Sequence, residues 1–262
     1  MSEQWGDVLE AWEATEAHAL WRAHSDAVNL MLLRRWLPDG QLGRVLKTDL
    51  FDEAVGSGLA GELEARAQGV VGVDLAAPVV EAALAARPGL DARVADVRRL
   101  PFEAGSFDLV VSNSTLDHFD SVGEIVTALE ELARVTRPGG RLVITLDNRE
   151  NPIVALRTSR ALAPLFRRLN LVPYELGVTC GHRRLARLLE GAGFEVRATE
   201  PIMHCPPQVA ANLAARFSPA GPASGTEDHL RRVLRFEALG RWPTRYLTAH
   251  FVAAFGIRLG PA

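Results

Sequence analysis

Lysine is almost absent from the sequence. Of its 29 basic residues, 28 are arginine, and Lys47 is the one lysine among 262 residues. Because arginine is preferred so strongly elsewhere, the position of this lysine, just after the first predicted strand, is notable. An excess of basic residues is missing too, since the formal net charge is −3. The chain therefore has no general attraction for nucleic acid, and we expect no nucleic-acid partner.

Cysteines and long apolar runs are also scarce. The two cysteines, Cys180 and Cys205, are too few for a disulfide framework and lack the spacing of metal ligands. We therefore expect reduced thiols in a cytoplasmic protein and no metal site. No uninterrupted run of about 18 apolar residues occurs, so no transmembrane segment is expected. Residues 1–16 are acidic and do not resemble a secretory signal.

The sequence does contain a regular alternation of short apolar runs and helical patterns. Apolar spacing predicts a first helix over 7–37, which Pro38 and Gly40 end. The predicted strands are 44–46, 70–74, 92–94, 107–112, 141–146, 194–199 and 250–257. Helices are predicted around 59–67 and over 78–87, 124–135 and 182–192. This alternation indicates right-handed crossovers and a parallel sheet covered by helices on both faces.

Three aspartates follow the first three predicted strands. They are Asp49, Asp74 and Asp96. Ligands of open parallel sheets bind beyond the carboxyl ends of the strands, where a carboxylate can accept hydrogen bonds from ribose hydroxyls or an adenine amino group. A single aspartate in such a position is commonly a helix cap or a turn former. Three in succession favour a pocket for a nucleoside.

Five segments resemble, in order, the motifs of class I S-adenosylmethionine-dependent methyltransferases. They are 72–75 (GVDL), 95–102 (ADVRRLPF), 106–113 (SFDLVVSN), 134–142 (RVTRPGGRL) and 188–196 (LLEGAGFEV). Their order and spacing over roughly residues 44–200 are more specific than any one motif. The resemblance implies an α/β fold with a Rossmann-like, doubly wound, seven-stranded sheet whose last strand is antiparallel. It also implies S-adenosylmethionine as cofactor and S-adenosylhomocysteine as product.

The resemblance assigns roles to residues of the matching motifs. It implies that Asp74, followed by Leu75, holds the cofactor ribose, and that Asp96 and Val97 contact the adenine. The segment 112–114, with Asn113 and Ser114, is implied to run beneath the methionine part. A nicotinamide dehydrogenase on a similar sheet is disfavoured, because no Gly-x-Gly-x-x-Gly opens the first helix after a strand.

The first motif departs from the family pattern. An acid-x-Gly-x-Gly-x-Gly turn is expected after the first strand, because glycine lets the backbone approach the cofactor closely. The chain instead has KTDLFDEAVGSG over 47–58, with late glycines and Phe51 where the family has no side chain. We interpret this segment as an altered methionine-binding loop. Its predicted cofactor-binding residues are Lys47, Thr48, Asp49, Asp52 and Gly56.

The charges of this loop suggest how it binds. Asp49 or Asp52 is predicted to meet the cofactor ammonium, and Lys47 to meet its carboxylate or to hold those acids. Lysine presents a compact point charge that the fork of an arginine does not reproduce. Two alternatives stay open: the lysine fell here by chance, or the loop has lost cofactor binding.

The candidate catalytic residues follow the fourth strand. His118 is the preferred base or acceptor-orienting group, with Asp117 beside it, because histidine titrates near neutral pH. The alternative is a histidine without a role in proton transfer. Asn148, next to Asp147 after the fifth strand, is predicted to hydrogen-bond the acceptor.

Two further regions are candidates for acceptor binding. Arg22, His24 and Asn29 on the first helix are predicted to line the pocket, with a solvated polar face as the alternative. Residues 151–187 contain seven arginines and one acid, Glu175. This insertion is interpreted as a lid over an anionic or lipophilic acceptor, as a peripheral membrane contact, or as a solvated basic face.

The sequence thus predicts one domain over 1–262. A helical cap over 1–40 precedes a cofactor-binding core over 44–150, the basic lid over 151–187 and a final part over 188–262 that completes the sheet. The predicted function is methyl transfer to a small-molecule oxygen, nitrogen or carbon. The alternative is a catalytically inactive protein that binds S-adenosylmethionine or S-adenosylhomocysteine in regulation or assembly.

Overall fold

The computed structural model describes residues 16–159, 177–206, 210 and 222–260. The chain divides into two compact units, and each is described by itself below. The first unit is Met1–Asp96 with Met203–Leu239, and the second is Val97–Ile202 with Gly240–Ala262.

The first unit combines three parallel strands with helices. Its elements are α1 Glu16–Trp36, β1 Arg44–Thr48, α2 Phe51–Val55, α3 Ala60–Glu64, β2 Gly69–Asp74, α4 Ala77–Ala86, β3 Asp91–Val94, α8 Pro222–Val233 and a 3₁₀ helix Leu234–Arg241. β1 pairs in parallel with β2, and β2 with β3. The side chains of Val45 and Leu46 are fully buried, as the apolar run predicts for a strand covered on both faces.

The second unit contains the other four strands. Its elements are β4 Phe107–Asn113, a 3₁₀ helix Leu116–His118, α5 Val122–Val135, β5 Thr136–Asp147, α6 Pro152–Arg157, α7 His182–Gly191, β6 Phe194–Ile202, α9 Arg245–Thr248 and β7 Phe251–Arg258. β4 and β5 are parallel, whereas β7 is antiparallel to both β5 and β6. A capping box between Ser121 and Glu124 starts α5.

The sheet topology confirms the predicted fold class. The seven strands have the order β3-β2-β1-β4-β5-β7-β6, with the last strand of the sequence antiparallel. A helix, α1, precedes the first strand, as expected. The part of the predicted first helix before Glu16 lies outside the described residues.

The largest differences from the predicted elements lie around the first strand. β1 continues to Thr48, so Lys47 and Thr48 belong to the strand and not to the loop after it. The short helix α2 was not predicted. It begins at Phe51, whose amide donates a hydrogen bond to Asp49 Oδ1 at 2.7 Å, and Asp52 and Glu53 occupy its first turn. Acids in a first turn interact favourably with the helix dipole. This helix signal was overlooked because the segment was compared only with a glycine-rich turn.

Only the ends of the predicted lid are described. Its first residues form α6, and chain 177–181 leads into α7. The core of the insertion, with Arg160, Arg167 and Arg168, lies outside the described residues. Within the described part of the chain, no helix is both long and apolar enough to cross a membrane.

Candidate functional site

The carboxylate of Asp74 is fixed at the end of β2. Its Oδ2 accepts a hydrogen bond from the amide of Leu50 at 2.9 Å, and its Oδ1 accepts one from the amide of Ala76 at 2.8 Å. The side chain is half-buried. A carboxylate can accept up to about four hydrogen bonds, which is the capacity that a ribose-binding acid needs. Asp74 thus has the preorganised geometry expected for a ribose-binding acid.

Asp49 makes the turn that a glycine makes in the family motif. Its φ of 74° lies in the left-handed region, which aspartate tolerates better than most residues. Its amide donates to the carbonyl of Val73 at 2.8 Å, so the turn is fixed to the neighbouring strand. Burial, more than the nearby charge of Asp74, raises the pKa of Asp49 to about 7, although Lys47 opposes the shift.

Phe51 stands at a position where the family motif has a glycine, and its side chain packs in the protein core. Its side chain is buried in an apolar cluster with Ala76, Val79 and Val80 of the α4 region. The bulky residue therefore belongs to the core of the first unit. In the altered turn, the side chain of Phe51 packs against the α4 region.

Lys47 forms a buried ion pair with a residue that the sequence reasoning missed. Its Nζ lies 2.7 Å from Glu53 Oε2, and both residues are fully buried. The ammonium also donates to the carbonyl oxygen of Asp49. The other oxygen of Glu53 accepts hydrogen bonds from the amides of Leu59 at 2.8 Å and Ala60 at 3.0 Å. Glu53 therefore connects β1 to the start of α3.

This ion pair accounts for the single lysine. Counting from the family's acid, Lys47 stands at the acid position and Glu53 at the third glycine, so a charge pair replaces both. A compact ammonium with rotatable donors reaches one carboxylate and one carbonyl, whereas a planar guanidinium is larger and its donors are fixed. Lys47 was predicted to meet the cofactor carboxylate or to hold Asp49 or Asp52, whereas its carboxylate partner in the structure is Glu53. Within one motif, a lysine replaces the family's acid and a glutamate replaces one of its glycines. These two opposite charges could have predicted the ion pair from the sequence.

Helix α1 contacts the altered loop through Arg22. The guanidinium of Arg22 forms an ion pair with Asp52 of α2. Gly56 is exposed, and a Cβ on it would lie 3.7 Å from Arg22 Cβ. Gly58 is the loop glycine with a positive φ, 58°, and a side chain there would collide with Glu53. The structure thus brings Arg22, Asp52 and Gly56 together, as residues of one corner of the first unit.

The remaining residues predicted to bind the nucleoside lie at or just after the carboxyl ends of β1, β2 and β3. Thr48 is buried at the end of β1, Leu75 is half-buried after β2, and Asp96 is half-buried after β3. Val97 begins the second unit and is buried. Their roles in cofactor binding stay predictions.

The other two predicted residues of α1 face the protein interior. His24 is fully buried, packs edge-on against Trp21, and its pKa is lowered to about 4 by burial and by the nearby His229. Asn29 donates to the carbonyl and the hydroxyl of Ser25 within the helix. Of the three α1 residues proposed to line a pocket, Arg22 is the one that contacts the loop after β1.

In the second unit, a hydrogen-bonded network follows β4 and β5. Ser114 has a φ of 50°, and its hydroxyl donates to Asp117 Oδ2 at 3.0 Å. The amide of Asp147 donates to the same oxygen at 2.7 Å. The amide of Ser114 bonds to Thr145, whose hydroxyl donates to Asn113 Oδ1 at 2.8 Å. Asn113, Ser114 and Asp117 are therefore fixed by one network with β5.

This network places two carboxyl groups close together. Burial and the charge of Asp117 raise the pKa of Asp147 to about 8, so its carboxyl is mainly protonated at neutral pH. His250 Nε2 lies 3.5 Å from Asp147 Oδ1, and burial lowers the pKa of His250 to about 4. The positive charge of Arg157 of α6 partly opposes the rise in the pKa of Asp147 and contributes to the fall in the pKa of His250. Arg157 therefore lies near both residues. The group pairs a protonated carboxyl with a neutral imidazole.

His118 lies at the exposed border of this network. It is half-buried, and its Nε2 lies 4.0 Å from Asp117 Oδ1. The backbone of 117–119 packs against Gly177, and the carbonyl of Phe119 accepts a hydrogen bond from the amide of Val178 at 2.7 Å. The end of the insertion thus fixes the backbone that carries His118. The catalytic role of His118 and Asp117 stays a prediction.

Asn148 is used within the second unit. It is fully buried, and its amide nitrogen donates to the carbonyls of Tyr246 at 2.6 Å and Ala249 at 3.0 Å. Its side-chain oxygen accepts from the amide of Glu150 at 3.0 Å. An acceptor contact through Asn148 would have to displace one of these bonds, so the predicted role requires rearrangement.

Several residues of these sites were not singled out from the sequence. They are Asp26 and Glu53 in the first unit and Thr145, Arg157 and His250 in the second. Arg157 and His250 are far apart along the chain and no motif links them. Among the described residues, no group of three side chains has the arrangement of a metal site.

Part of the chain matches a known protein family. Residues 52–144 match the family described as "Methyltransferase domain". The match covers about a third of the chain and begins within the altered loop. It includes β2, β3, β4 and most of β5.

Curated relatives cover limited parts of the chain. A "Demethylmenaquinone methyltransferase" of Renibacterium salmoninarum is 34% identical over 123 residues, which are 46% of this chain and 51% of that protein. A "Probable tRNA methyltransferase 9B" of Homo sapiens is 36% identical over 91 residues, 34% of this chain and 20% of that protein. The chain thus spans between a fifth and a half of these relatives' length.

Solved structures show the same fold over nearly the whole chain. A protein of Thermotoga maritima, described as a SAM-dependent methyltransferase and possible histamine N-methyltransferase, has a TM-score of 0.62 and 17% identity, with 98% of this chain and 100% of that chain covered. A Haloferax volcanii complex of the Trm112 methyltransferase activator with a methyltransferase matches with a TM-score of 0.60 and 17% identity, covering 96% and 98%. The predicted resemblance is thereby confirmed. Segment 52–144 matches the methyltransferase domain family, and the chain has the fold of these solved methyltransferases.

Proposed function

We propose that the protein transfers a methyl group from S-adenosylmethionine to a small-molecule acceptor. The observation that carries the proposal is the carboxylate of Asp74, which the amides of Leu50 and Ala76 hold at the end of β2. Phe51 of the altered first loop packs in the apolar cluster of the α4 region. The residues present therefore fit the sugar of the cofactor.

In this proposal Asp74 accepts hydrogen bonds from the ribose hydroxyls, and Asp96 lies at the next strand end for the adenine. When bound, S-adenosylmethionine supplies a methyl group made electrophilic by the sulfonium. The protein's part is to hold the nucleoside and orient the acceptor, and positioning alone contributes much of the rate in bimolecular transfers.

The network after β4 and β5 is proposed to serve the acceptor. His118 is the half-buried imidazole of this network, and it takes the proton that an acceptor hydroxyl or amine loses as the bond to carbon forms. Asp117 positions His118 from a distance of 4.0 Å. Asp117 is itself fixed by Ser114 and the amide of Asp147.

A small-molecule acceptor is favoured by the formal net charge of −3, which gives the chain as a whole no general attraction for a polynucleotide. The relatives include proteins named for demethylmenaquinone and for tRNA. Our proposal, which includes a cytoplasmic location, takes the first kind of acceptor. The experiment must therefore also be able to detect methyl transfer to tRNA.

The proposal can be tested with methyl-labelled S-adenosylmethionine. The protein is incubated separately with a low-molecular-mass cell extract and with total tRNA, and heat-denatured protein serves as control. We expect protein-dependent label in the small-molecule extract only. Label confined to tRNA would overturn the assignment of the acceptor.

A second candidate function is a cofactor-binding protein without catalysis. The observation that favours it is the buried Lys47–Glu53 pair in place of the family's glycine-rich turn. Calorimetry with S-adenosylhomocysteine, combined with the labelling experiment, separates the two functions. Binding without transfer to either acceptor pool would support the second candidate.

A further inference from the structure

One buried carboxylate oxygen of the first unit has no hydrogen-bond partner among the described residues. It is Oδ1 of Asp26, on α1. The residue is 6% exposed, and its other oxygen accepts a hydrogen bond from the amide of Gly58 at 3.0 Å. Buried polar atoms in native proteins are nearly always hydrogen-bonded, so an exception of this kind commonly marks the place of a ligand or an ion.

The other acids around this oxygen already have partners. Glu53 binds Lys47 and the two amides at the start of α3, and Asp52 binds Arg22. Asp49 accepts a hydrogen bond from the amide of Phe51. Each of the two nearby cations thus has a carboxylate partner other than Asp26. The corner therefore contains more carboxylates than cations and can accommodate one further positive charge.

The surface beside Asp26 is covered by glycine and not by a side chain. Gly56 is exposed, and a Cβ on it would lie 3.9 Å from Asp26 Oδ2. Gly58, which donates to Asp26, follows two residues later. The late glycines of the altered motif thus border Asp26, in the loop that the sequence identified with the methionine part of the cofactor.

We propose that Asp26 binds the ammonium group of the methionine part of the cofactor through its unpartnered oxygen. This inference rests on the proposed function and adds a residue of α1 that no motif contains. A primary ammonium supplies both the hydrogen-bond donor and the positive charge that this corner accommodates. A metal ion is a poorer occupant, because no group of three metal ligands exists among the described residues.

The test compares two nucleosides that differ in the ammonium. S-adenosylhomocysteine carries the amino-acid part, whereas 5′-methylthioadenosine lacks it, and both are titrated calorimetrically into wild-type protein and Asp26→Asn. We expect Asp26→Asn to weaken S-adenosylhomocysteine binding by roughly ten- to a hundredfold and to leave 5′-methylthioadenosine binding unchanged. The variant keeps an oxygen for the amide of Gly58. Asp91→Asn, at an exposed position on β3, is the matched control.

The outcomes separate this inference from the function on which it rests. Equal weakening of both nucleosides, or no weakening of either, in Asp26→Asn overturns the inference and leaves the proposed function standing. Failure of the wild-type protein to bind either nucleoside overturns both.

A measurement on the wild-type protein covers the case in which the variant does not fold. Burial raises the pKa of Asp26 to about 6, with Glu53 raising it further and Arg22 and Lys47 lowering it. An ammonium bound to Asp26 favours its ionised form, so S-adenosylhomocysteine affinity must fall as the pH falls through about 6. The affinity for 5′-methylthioadenosine must not show this additional fall. Parallel pH profiles for the two nucleosides would overturn the inference.

Discussion

The ammonium of Lys47 lies 2.7 Å from the carboxylate of Glu53, and neither side chain is exposed to solvent. This pair occupies two positions of the motif in which related proteins have an acid and a glycine. It fixes the turn after β1 through Asp49 and the start of α3 through Leu59 and Ala60. A network of charge and hydrogen bonds therefore holds this loop.

Replacing Lys47 by methionine should destabilise the protein by about 3–5 kcal/mol, because it leaves the charge of Glu53 buried without compensation. Urea unfolding measures the change. Lys47→Met with Glu53→Gln should recover a large part of the loss, since glutamine keeps an oxygen for the amides of α3. Lys47→Arg should also be less stable than the wild type, although it keeps the positive charge. A wild-type unfolding midpoint for Lys47→Met or Lys47→Arg would contradict this account of the lysine.

Asp74→Asn should weaken the binding of S-adenosylhomocysteine by on the order of 1–3 kcal/mol, because an amide accepts hydroxyl hydrogen bonds through one oxygen only. Titration calorimetry measures the effect, and Asp91→Asn serves again as control. A thermal melt checks that the backbone contacts of Leu50 and Ala76 survive. The same dissociation constant in variant and wild type would remove Asp74 from the ribose site.

Asp147 should make the stability of the protein depend on pH. Its pKa rises from an ordinary 3.8 to about 8 on folding, so the folded state keeps a proton that the unfolded chain releases. The stabilisation is complete below about pH 4 and is lost as the pH rises through about 8. The free energy of unfolding of the wild type should therefore decline relative to Asp147→Asn, by at most about 1.4 kcal/mol per pH unit.

The comparison is best made between about pH 6.5 and pH 8. The pKa of His250 is lowered from 6.5 to about 4, so above pH 6.5 this neighbour is largely neutral in both states. The carboxyl of Asp49 is present in both proteins, and its contribution cancels. Stability curves that run parallel over this range would show that Asp147 carries no buried proton.

Gly177→Ala should destabilise the second unit by roughly 1–3 kcal/mol through overpacking. A Cβ at this position would collide with backbone atoms of Asp117, His118 and Phe119. In Gly123→Ala the new methyl meets only Ser121 Oγ at 3.7 Å, so this helix position of α5 is the matched control. Thermal unfolding of both variants measures the difference. Equal melting temperatures would mean that the insertion does not fix the backbone of His118.

His118→Gln should lower the turnover of a hydroxyl or amine acceptor by roughly 100- to 10,000-fold if the imidazole removes its proton. The variant should keep its affinity for S-adenosylhomocysteine. Steady-state kinetics with the acceptor identified by labelling measures the turnover, and titration calorimetry measures the affinity. A variant with full activity would assign His118 to the alternative without proton transfer.

The fold was predictable because its signals are local. Apolar runs such as 70–74 and 107–112 became buried strands, and Ser121 with Glu124 marks the start of a helix. The bounds around β1 were harder to predict. Lys47 reads as a loop residue in the sequence, and a buried strand accepts it only because Glu53 compensates its charge.

The candidate site was predictable only in part. Asp74 and Ser114 follow strands directly, so their placement at strand ends was expected from the order of the chain. Asp26 was missed because it lies in a helix without a motif. Asn148 was expected to face an acceptor, but its side chain is bonded to the carbonyls of Tyr246 and Ala249, about a hundred residues away.

The sequence by itself determined the order of strands and helices, the strand ends that carry acids and the methyltransferase-like motifs, because periodicity and motif spacing are properties of the chain. Tertiary structure alone decided which charges meet. The pairing of Lys47 with Glu53, the oxygen of Asp26 that has no partner among the described residues, and the raised pKa of Asp147 depend on burial and on distances of a few ångströms. Burial removes the solvent that would otherwise screen these charges, so their effects arise only once the chain has folded.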